Sequence, residues 1–388
     1  MKTSGRPFRV ALVAGMLSGR GGGAPRSVAQ QARSLRAAGV DVELFAGYDA
    51  RYPFTPDELD IREIPATVSR LVGPAVLGLF PAALRKLARR AREFDVIHLN
   101  GAWNLTTFIG ASLIGRKSGT PCIISCRSHY GEYHFTRLPL LKKILFRLLE
   151  TPNIRNAWAL HVTSEWEEQT SWRAVRLARR VVRIPNPVNL GDFRDPPLRR
   201  EARKALGLDP DAFHVVHLGR LGKQKNLPLL VEAFGRADLP PNARLHLVGP
   251  PEAAEKARLR ALAGRLGIGD RLTFLDFAGG RDRCRWLAAA DLFALPSFDE
   301  NFCIAAIEAA ACGTFSLLSP HVGAVEFLPA DRFRAVPLSL DAWIRAIEET
   351  AAEPPPQNVP PPDWDAPFRQ ESVTRRWLEI YRQIREEK

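Results

Sequence analysis

The chain has 388 residues, of which 46% are hydrophobic and 25% charged, a composition that excludes disordered and fibrous proteins. At this length we expect two or three domains, each with a buried core. The five cysteines form no CxxC pair and no Cys/His ligand set. This pattern excludes a small disulfide scaffold and indicates reduced thiols in a cytosolic protein.

Membrane-spanning and export segments are not expected. The longest uncharged apolar stretch, residues 71–84, is shorter than the roughly 18 residues that a membrane-spanning helix needs, and Pro74 and Pro81 interrupt it. The first residues, MKTSGRPFRV, lack the apolar region of a signal peptide. The sequence therefore predicts a cytoplasmic location.

The net charge of +13 is unevenly distributed. Residues 1–190 carry 28 Lys and Arg against 14 Asp and Glu, whereas residues 191–388 carry 27 against 28. A basic surface concentrates anions, so the first half indicates a nucleic acid, an anionic membrane or a phosphorylated substrate as partner. An arginine-rich genome is the alternative interpretation.

The first half alternates short apolar runs with helical patterns. A continuous apolar run at 9–15 is typical of a strand buried in a parallel sheet, and it ends in the glycine-rich loop 18–24. A helix is predicted over 25–38, closed by Gly39, with a strand after it at 40–46. Further buried strands are predicted at 95–99, 121–125 and 159–163. This alternation predicts a doubly wound parallel sheet.

A proline-containing segment at 183–188 interrupts the series, and a second series begins with a strand at 214–218. Strands are then predicted at 245–249, 272–275 and 292–295, and helices at 228–237, 252–266, 282–289 and 304–312. Half of the residues in 354–367 are proline, so we expect a connector without helix there. A last helix over 370–387 should dock on another domain. The predicted domains are two Rossmann-like units, 1–187 and 188–365, and a C-terminal helix in 366–388.

Two carboxylates lie around the start of the helix predicted at 304–312. Glu300 is in the loop before it, and Glu308 is inside it among apolar residues. A glutamate on the apolar side of a helix is costly to bury, so it needs a ligand or a buried donor. A partly exposed side chain at the edge of the apolar stripe is the structural alternative.

The segment Gly219-Arg-Leu-Gly-Lys-Gln-Lys-Asn226 follows the first strand of the second series. Ligands of open α/β sheets bind at this end of the strands. Arg220 and Lys225 place two cations beside flexible backbone, which suits a diphosphate. An exposed basic turn is the alternative.

These two motifs, about 80 residues apart and in this order, resemble the retaining glycosyltransferase family 4, whose members use nucleotide sugars. Collinear supporting matches lie at 21–23, 96–103, 163–165, 184–188 and 323–326. The resemblance covers residues 8–382. It implies an α/β protein of the GT-B type, with two Rossmann-like domains, an interdomain cleft and a C-terminal helix that crosses back to the N-terminal domain.

The resemblance also implies roles for individual residues. Arg220 and Lys225 would bind the donor diphosphate, Glu308 the ribose hydroxyls, and Glu300 the transferred sugar. The implied catalytic residues are Arg220, Lys225, Glu300 and His129. The implied donor-binding residues are Gly219, Asn301, Phe302, Cys303, Ile304 and Glu308. The implied acceptor or phosphate loop contains Gly21, Gly22, Gly23, His98 and Arg127. No metal and no cofactor are implied.

Several positions depart from the family pattern, among them Phe315 in place of a proline and Asn100 at the second position of a frequent His-x-His. Cys303 replaces the usual glycine after Phe302, and its place at a helix start predicts a lowered thiol pKa. The histidine that many members place after the fourth strand is not clearly matched, because Arg127 lies nearest that position and His129 two residues beyond. The Asp363-Trp-Asp365 sequence lies in the proline-rich connector and is interpreted as accidental.

The function implied is transfer of a sugar from a nucleoside-diphosphate sugar to an acceptor hydroxyl with retention, in surface polysaccharide or glycoconjugate assembly. Front-face departure is the preferred mechanism, and a covalent intermediate on Glu300 is its competitor. An epimerase or phosphorylase on the same fold is one alternative function. A non-catalytic protein that binds anionic surfaces or nucleic acid is another, although no nucleic-acid-binding signature is present.

The expected partners are a nucleotide sugar and a glycan or lipid-linked acceptor, with no nucleic acid. The basic and apolar segment 135–149 predicts docking on an anionic membrane at its inner face. A helix that covers the N-terminal sheet with solvated cations is the alternative.

Overall fold

The computed structural model describes residues 6–16, 23–48, 66–70, 79–136, 139–250, 252–276, 278–357, 360 and 363–388. The chain divides into two compact units. The first unit contains residues 1–187 and 367–388, and the second contains residues 188–366.

The first unit is built on a seven-stranded parallel sheet with the order β3-β2-β1-β4-β5-β6-β7. Its central strands are apolar on both faces, because helices cover both sides of a doubly wound sheet. The strands are β1 (Arg9–Met16), β2 (Asp41–Tyr48), β3 (Ala66–Arg70), β4 (Val96–Asn100), β5 (Cys122–Ser125), β6 (Ala159–Val162) and β7 (Val181–Arg183).

Most helices of the first unit are short. They are α1 (Gly23–Ala37), α2 (Pro81–Arg90), α3 (Leu105–Phe108), α4 (Arg116–Ser118), α5 (Glu132–Phe135), α6 (Pro139–Leu145), α7 (Thr151–Asn156), α8 (Glu165–Thr170) and α9 (Trp172–Val175). π-Helical turns at Ile109–Gly115 and Phe146–Glu150 join α3 to α4 and α6 to α7. The basic segment predicted at 135–149 is thus not one regular α-helix.

The second unit contains a six-stranded parallel sheet with the order β10-β9-β8-β11-β12-β13. Its strands are β8 (His214–Leu218), β9 (Arg244–Val248), β10 (Leu272–Leu275), β11 (Leu292–Leu295), β12 (Phe315–Leu318) and β13 (Phe333–Ala335). Its α-helices are α10 (Arg199–Leu206), α11 (Leu227–Arg236), α12 (Ala253–Arg265), α13 (Gly280–Ala289), α14 (Ile304–Ala311) and α15 (Leu340–Ala352). The sheet order reverses between β8 and β11, so loops after these strands can form a ligand site.

The last helix, α16 (Gln370–Glu386), follows the proline-rich connector and packs on the first unit. Its buried face consists of Val373, Trp377, Tyr381 and Ile384, at the spacing of one helix stripe. Within the first unit, Tyr381 pairs through its hydroxyl with Nδ1 of His98 at 3.1 Å. The predicted return of the C-terminal helix to the N-terminal fold is confirmed.

No helix in the described ranges has both the length and the apolar composition that a membrane crossing needs. The apolar residues of the chain instead form cores on both sides of the first sheet and within the second unit.

Several fully buried histidines are held neutral. Burial lowers the pKa to about 3 in His161, His217 and His246, and moves the pKa of His98 far below its usual value. Each of these rings lies inside its unit and pairs with a protein atom, as His161 does with the Ile184 carbonyl oxygen at 2.8 Å. A neutral ring can accept one hydrogen bond and donate another, which suits these positions.

We expect stability to fall as the pH drops from about 6.5 towards 3. Histidines of the unfolded chain take up protons near pH 6.5, whereas the buried rings do not, so the unfolded state binds more protons in this window. By pH 5 each such ring should cost up to about 2 kcal/mol of unfolding free energy. Thermal unfolding between pH 7 and 5 measures this, with His246→Gln expected to flatten the dependence. A melting temperature that is constant over this range would contradict the assignment.

Candidate active site

Two glycines bring the loops after β8 and β9 into close contact. Gly219 and Gly249 have φ angles of +154° and +144°, which residues with a side chain rarely adopt. A Cβ on Gly249 would lie 2.0 Å from the carbonyl oxygen of Gly219, so only glycine fits there. The Gly219 amide donates to the Val248 carbonyl oxygen at 2.9 Å. The backbone that carries Arg220 is therefore fixed by its neighbour strand.

The two cations of this loop differ in their surroundings. Arg220 is exposed, whereas Lys225 is largely buried at the end of the 3-10 turn Lys223–Lys225 and forms an ion pair with Glu300. Burial alone would lower the pKa of Lys225, but the adjacent Glu300 carboxylate outweighs it, and the pKa is raised. Lys225 is therefore a firmly charged ammonium beside a carboxylate.

The loop before α14 is tied to the same turn by its backbone. The Phe298 amide donates to the Gln224 carbonyl oxygen at 2.9 Å, and the Gln224 side-chain amide donates to the Asp299 carbonyl oxygen at 2.5 Å. The Glu300 amide donates to the His321 carbonyl oxygen at 2.9 Å. Glu300 is thus positioned by its backbone as well as by Lys225.

Glu308 is buried in α14, with only 4% of its surface exposed. It forms an ion pair with Arg283 of α13. The sequence alternative of a partly exposed glutamate at the edge of the helix is therefore wrong. The buried donor that such a carboxylate needs is a guanidinium from the neighbouring helix.

Cys303 precedes α14 with a left-handed φ of 69° and is buried. Burial, followed by the charge of Glu300, raises the pKa of its thiol to about 12. The sequence-based expectation of a lowered pKa is therefore wrong, because desolvation and a nearby carboxylate outweigh the dipole of an eight-residue helix.

The other donor residues predicted at this turn lie beside Cys303. Asn301 is half-buried, Phe302 is buried with its ring 5.4 Å from that of Phe327, and Ile304 is the first residue of α14. Only the backbone of Phe302 is therefore offered to a ligand. Amides at such a helix start lack partners within the helix, so this turn can donate to ligand oxygens.

In the first unit, the loops after β4 and β5 lock one histidine in a defined state. The Ala102 amide donates to Nδ1 of His129 at 3.0 Å, which leaves the ring proton on Nε2. Burial, with the nearby cations Lys142 and Arg127, lowers the pKa of His129 to about 4. Gly101, at φ 92°, makes room for this ring, since a Cβ there would lie 2.8 Å from its Cε1 atom. His129 is therefore a neutral Nε2–H donor near neutral pH.

Arg127 lies in the same loop in a left-handed conformation, with φ 51°. Its guanidinium donates to the Asn100 side-chain oxygen at 2.9 Å and also to that of Asn186. Burial lowers the pKa of Arg127 to about 10. The next residue is held through its amide by Glu167 at 2.5 Å. Arg127 is therefore fixed beside His129 and remains a cation at neutral pH.

The structure does not place His98 in the acceptor or phosphate loop to which the sequence assigned it. It lies in strand β4 rather than in a loop, and it is completely buried. Its Nε2 atom pairs with the Ser125 hydroxyl at 2.8 Å, and its ring lies 4.6 Å from that of Trp377. His98 bridges the sheet and α16, so its ring is part of the core. Both ring nitrogens have protein partners, and neither is available to an acceptor substrate.

The predicted glycine loop is only partly described. Gly21 and Gly22 lie outside the described residues, and Gly23 is the first residue of α1. The structure thus brings Gly219, Arg220, Lys225, Glu300, Cys303 and Glu308 together in the second unit, and Arg127 and His129 together in the first.

Two residues of the second-unit site were missed from the sequence. Gly249 could have been found, because it follows a predicted buried strand directly, just as Gly219 does. Arg283 carries no local signal, because it stands in a run of charged residues 25 positions before Glu308.

Cys303 should be alkylated slowly in the native protein. A thiol with a pKa of about 12 has almost no thiolate at pH 7.5, and it is 7% exposed. Iodoacetamide labelling followed by mass spectrometry of the Cys303 peptide measures this, with the protein in urea as control. Labelling equally fast with and without urea would contradict the described burial.

Comparison with known proteins shows the family to which the chain belongs. Residues 199–358 match the family "Glycosyl transferases group 1", and residues 22–187 match the "Glycosyl transferase 4-like domain". D-inositol 3-phosphate glycosyltransferase 1 of Catenulispora acidiphila is 30% identical over 345 residues, covering 79% of this chain and 78% of that protein. D-inositol 3-phosphate glycosyltransferase of Mycobacterium ulcerans is 35% identical over 167 residues, or 42% of this chain. That match spans 35% of the Mycobacterium ulcerans protein.

Solved structures share the fold. Sucrose-phosphate synthase of Thermosynechococcus elongatus aligns with a TM-score of 0.77 at 25% identity, covering 98% of this chain and 100% of that one. Anabaena HepE, solved in complex with UDP-glucose, aligns with a TM-score of 0.70 at 20% identity, covering 98% of each chain. With its two parallel α/β units and its collinear motifs, the chain belongs to the group 1, family 4-type glycosyltransferases of the GT-B fold.

Proposed function

We propose that the protein is a retaining glycosyltransferase that moves a sugar from a nucleoside-diphosphate sugar to an acceptor hydroxyl in polysaccharide or glycoconjugate assembly. One observation carries the proposal, the ion pair between Lys225 and Glu300, which are 75 residues apart in the sequence. It joins a phosphate-binding type of loop to a carboxylate at a helix start. That combination suits a ligand with a diphosphate and hydroxyl groups.

The donor would be bound at the loops after β8 and β11. Arg220 and Lys225 would hold the diphosphate, and Glu300 and Glu308 would accept hydrogen bonds from the sugar and ribose hydroxyls. A charged carboxylate is a strong acceptor for a hydroxyl, and two cations offset the charge that develops on the departing diphosphate.

Retention would follow from front-face departure. The bond from the anomeric carbon to the diphosphate oxygen breaks, and the acceptor oxygen bonds to that carbon on the same face. A phosphate oxygen of the leaving group takes the acceptor's proton. No metal is required for charge balance in this scheme, so activity should persist with EDTA.

The role that we propose for His129 follows from its neutral protonation state. A neutral ring that keeps its proton on Nε2 is a hydrogen-bond donor and not a general base. It would donate to a hydroxyl or phosphate oxygen of a substrate, with Arg127 supplying positive charge beside it.

Replacing Arg220 or Lys225 by Ala should weaken donor binding and turnover. Loss of a charge-assisted contact costs about 1.5–3 kcal/mol, or about 10- to 150-fold in affinity. Arg220 gives the cleaner test because it is exposed, and Lys223→Ala is the matched control on the same turn. The measurement is release of nucleoside diphosphate with and without acceptor. Wild-type rates in both variants would remove the diphosphate assignment, and release without acceptor would favour hydrolysis or epimerisation.

The helical segment 139–150 is proposed to dock on an anionic membrane that carries a lipid-linked acceptor. It exposes a row of large apolar side chains, Leu140 (72% exposed), Leu141, Ile144 and Leu148. Lys143 and Arg147 are exposed among them. Apolar side chains flanked by cations suit an interface with anionic lipid. Lys142 is not part of this surface, because its ammonium donates to the His134 carbonyl oxygen at 2.5 Å.

Lys143→Gln with Arg147→Gln should release the protein from vesicles of phosphatidylcholine and phosphatidylglycerol. Each cation near an anionic surface contributes about 1 kcal/mol, and salt should weaken the binding. Sedimentation measures the bound fraction, with Lys204→Gln and Arg258→Gln in the second unit as the matched pair. If the wild type never sediments, the membrane part of the proposal is wrong, while the glycosyltransferase proposal stands.

A further inference from the structure

We propose that Arg283 is a positioning residue that holds the Glu308 carboxylate charged and oriented for the ribose of the donor. This inference deepens the proposed function, since it rests on Glu308 as the ribose ligand. It assigns a role to a residue outside both sequence motifs.

Glu308 depends on a neighbour for its charge. It lies in the alanine-rich helix α14 and is buried, with Ile307 and Ala309 buried on either side of it in the sequence. A carboxylate removed from water without a cation tends to take up a proton, because desolvation raises the pKa of buried acids. A protonated acid would no longer be the strong acceptor that ribose hydroxyls require.

Arg283 supplies that cation from the adjacent helix. Its Nη2 atom contacts Oε2 of Glu308, and only 17% of its side chain is exposed. Among the described residues, its buried Nε–H has no acceptor. The guanidinium is therefore directed at Glu308.

The other arginines of α13 are directed elsewhere. Arg281 donates to the carbonyl oxygens of Asp192 and Asp195, and Arg285 forms an exposed pair with Asp282. Arg283 is thus the arginine of this helix that contacts Glu308. Arg285 has the same charge two residues away on a solvent-exposed side chain, which makes it a matched control.

Donor binding should also depend on whether the cation at position 283 is an arginine or a lysine. A guanidinium presents its N–H donors in a planar fork of fixed direction, so it can orient a carboxylate as well as neutralise it. Lysine would keep the charge but present a single ammonium on a flexible stem. Arg283→Lys should therefore restore part of what Arg283→Gln removes, whereas a purely steric role would not distinguish the two in this way.

The test is calorimetric titration of the full-length chain with whichever of UDP, ADP and GDP binds the wild type most tightly. We expect Arg283→Gln to weaken binding about 10- to 100-fold, Arg283→Lys to lie between it and the wild type, and Arg285→Gln to bind like the wild type. Glu308→Gln should weaken binding to a similar degree. Because Arg283 acts through Glu308, the double variant should bind within about two-fold of Glu308→Gln.

The outcomes separate the two proposals. If Glu308→Gln binds like the wild type, the ribose role of Glu308 is wrong and the positioning role falls with it. If Glu308→Gln weakens binding but Arg283→Gln does not, or binds more tightly, only the positioning role is overturned. The positioning role is also overturned if the fold-losses in affinity of Arg283→Gln and Glu308→Gln multiply in the double variant. Should Arg283→Gln alone unfold, Arg283→Lys decides in its place, because it keeps the buried charge: weaker binding than the wild type supports the positioning role, and binding equal to the wild type overturns it.

Discussion

The second unit is organised by the pairing of buried charges at the carboxyl edge of its sheet. Lys225 and Glu300 form one pair, and Arg283 and Glu308 form the other. A charge buried alone would cost several kcal/mol, and each carboxylate of the E-x7-E motif is paired with a cation from another segment of the chain. The close approach of Gly219 and Gly249 serves the same arrangement, since it fixes the loop from which the first cation comes.

The first unit also holds buried polar groups through neutral partners. Its buried histidines His98 and His161 stay neutral, and both pair with the Ser125 hydroxyl. Charged side chains also support the loop after β5, where Arg127 donates to Asn100 and Glu167 accepts from the Ser128 amide. Glu167 receives the Thr163 amide and hydroxyl at 2.7 and 2.8 Å, so its carboxylate is satisfied by the loop that it supports. Buried polar groups of this unit thus stabilise the loops after β5 and β6, and the loop after β5 carries His129.

Much of the fold could be predicted from the sequence, because buried parallel strands form short continuous apolar runs between helical patterns. Strands β1, β8 and β11 and helices α11, α13 and α14 lie within a few residues of their predicted bounds. Strands β3, β7, β12 and β13 were missed, since three to five residues with a polar member give no such run.

The site was predictable only as far as its residues stand in short motifs. Lys225, Glu300 and Glu308 were found because a spacing along the chain marks them. Arg283 was not found, because its partner comes from the packing of α13 on α14, which no local pattern encodes. His98 and Cys303 were misjudged for the same reason. Their burial depends on α16 and on the contact of two loops, and burial reverses both the availability of the imidazole and the direction of the thiol pKa.

The ion pairs of the second unit also determine how Arg220 and Lys225 would meet an anion. Within the described part of its unit, Arg220 has no ion pair, while Lys225 is neutralised by Glu300. An approaching anion therefore meets the full charge of Arg220 first, at a position where water screens it. The Lys225 ammonium has three donors, so in the proposed reaction it would contact the diphosphate as well as Glu300. The diphosphate and the sugar of a nucleotide sugar would thus be recognised side by side, because the cation proposed for the first and the carboxylate proposed for the second are paired with each other.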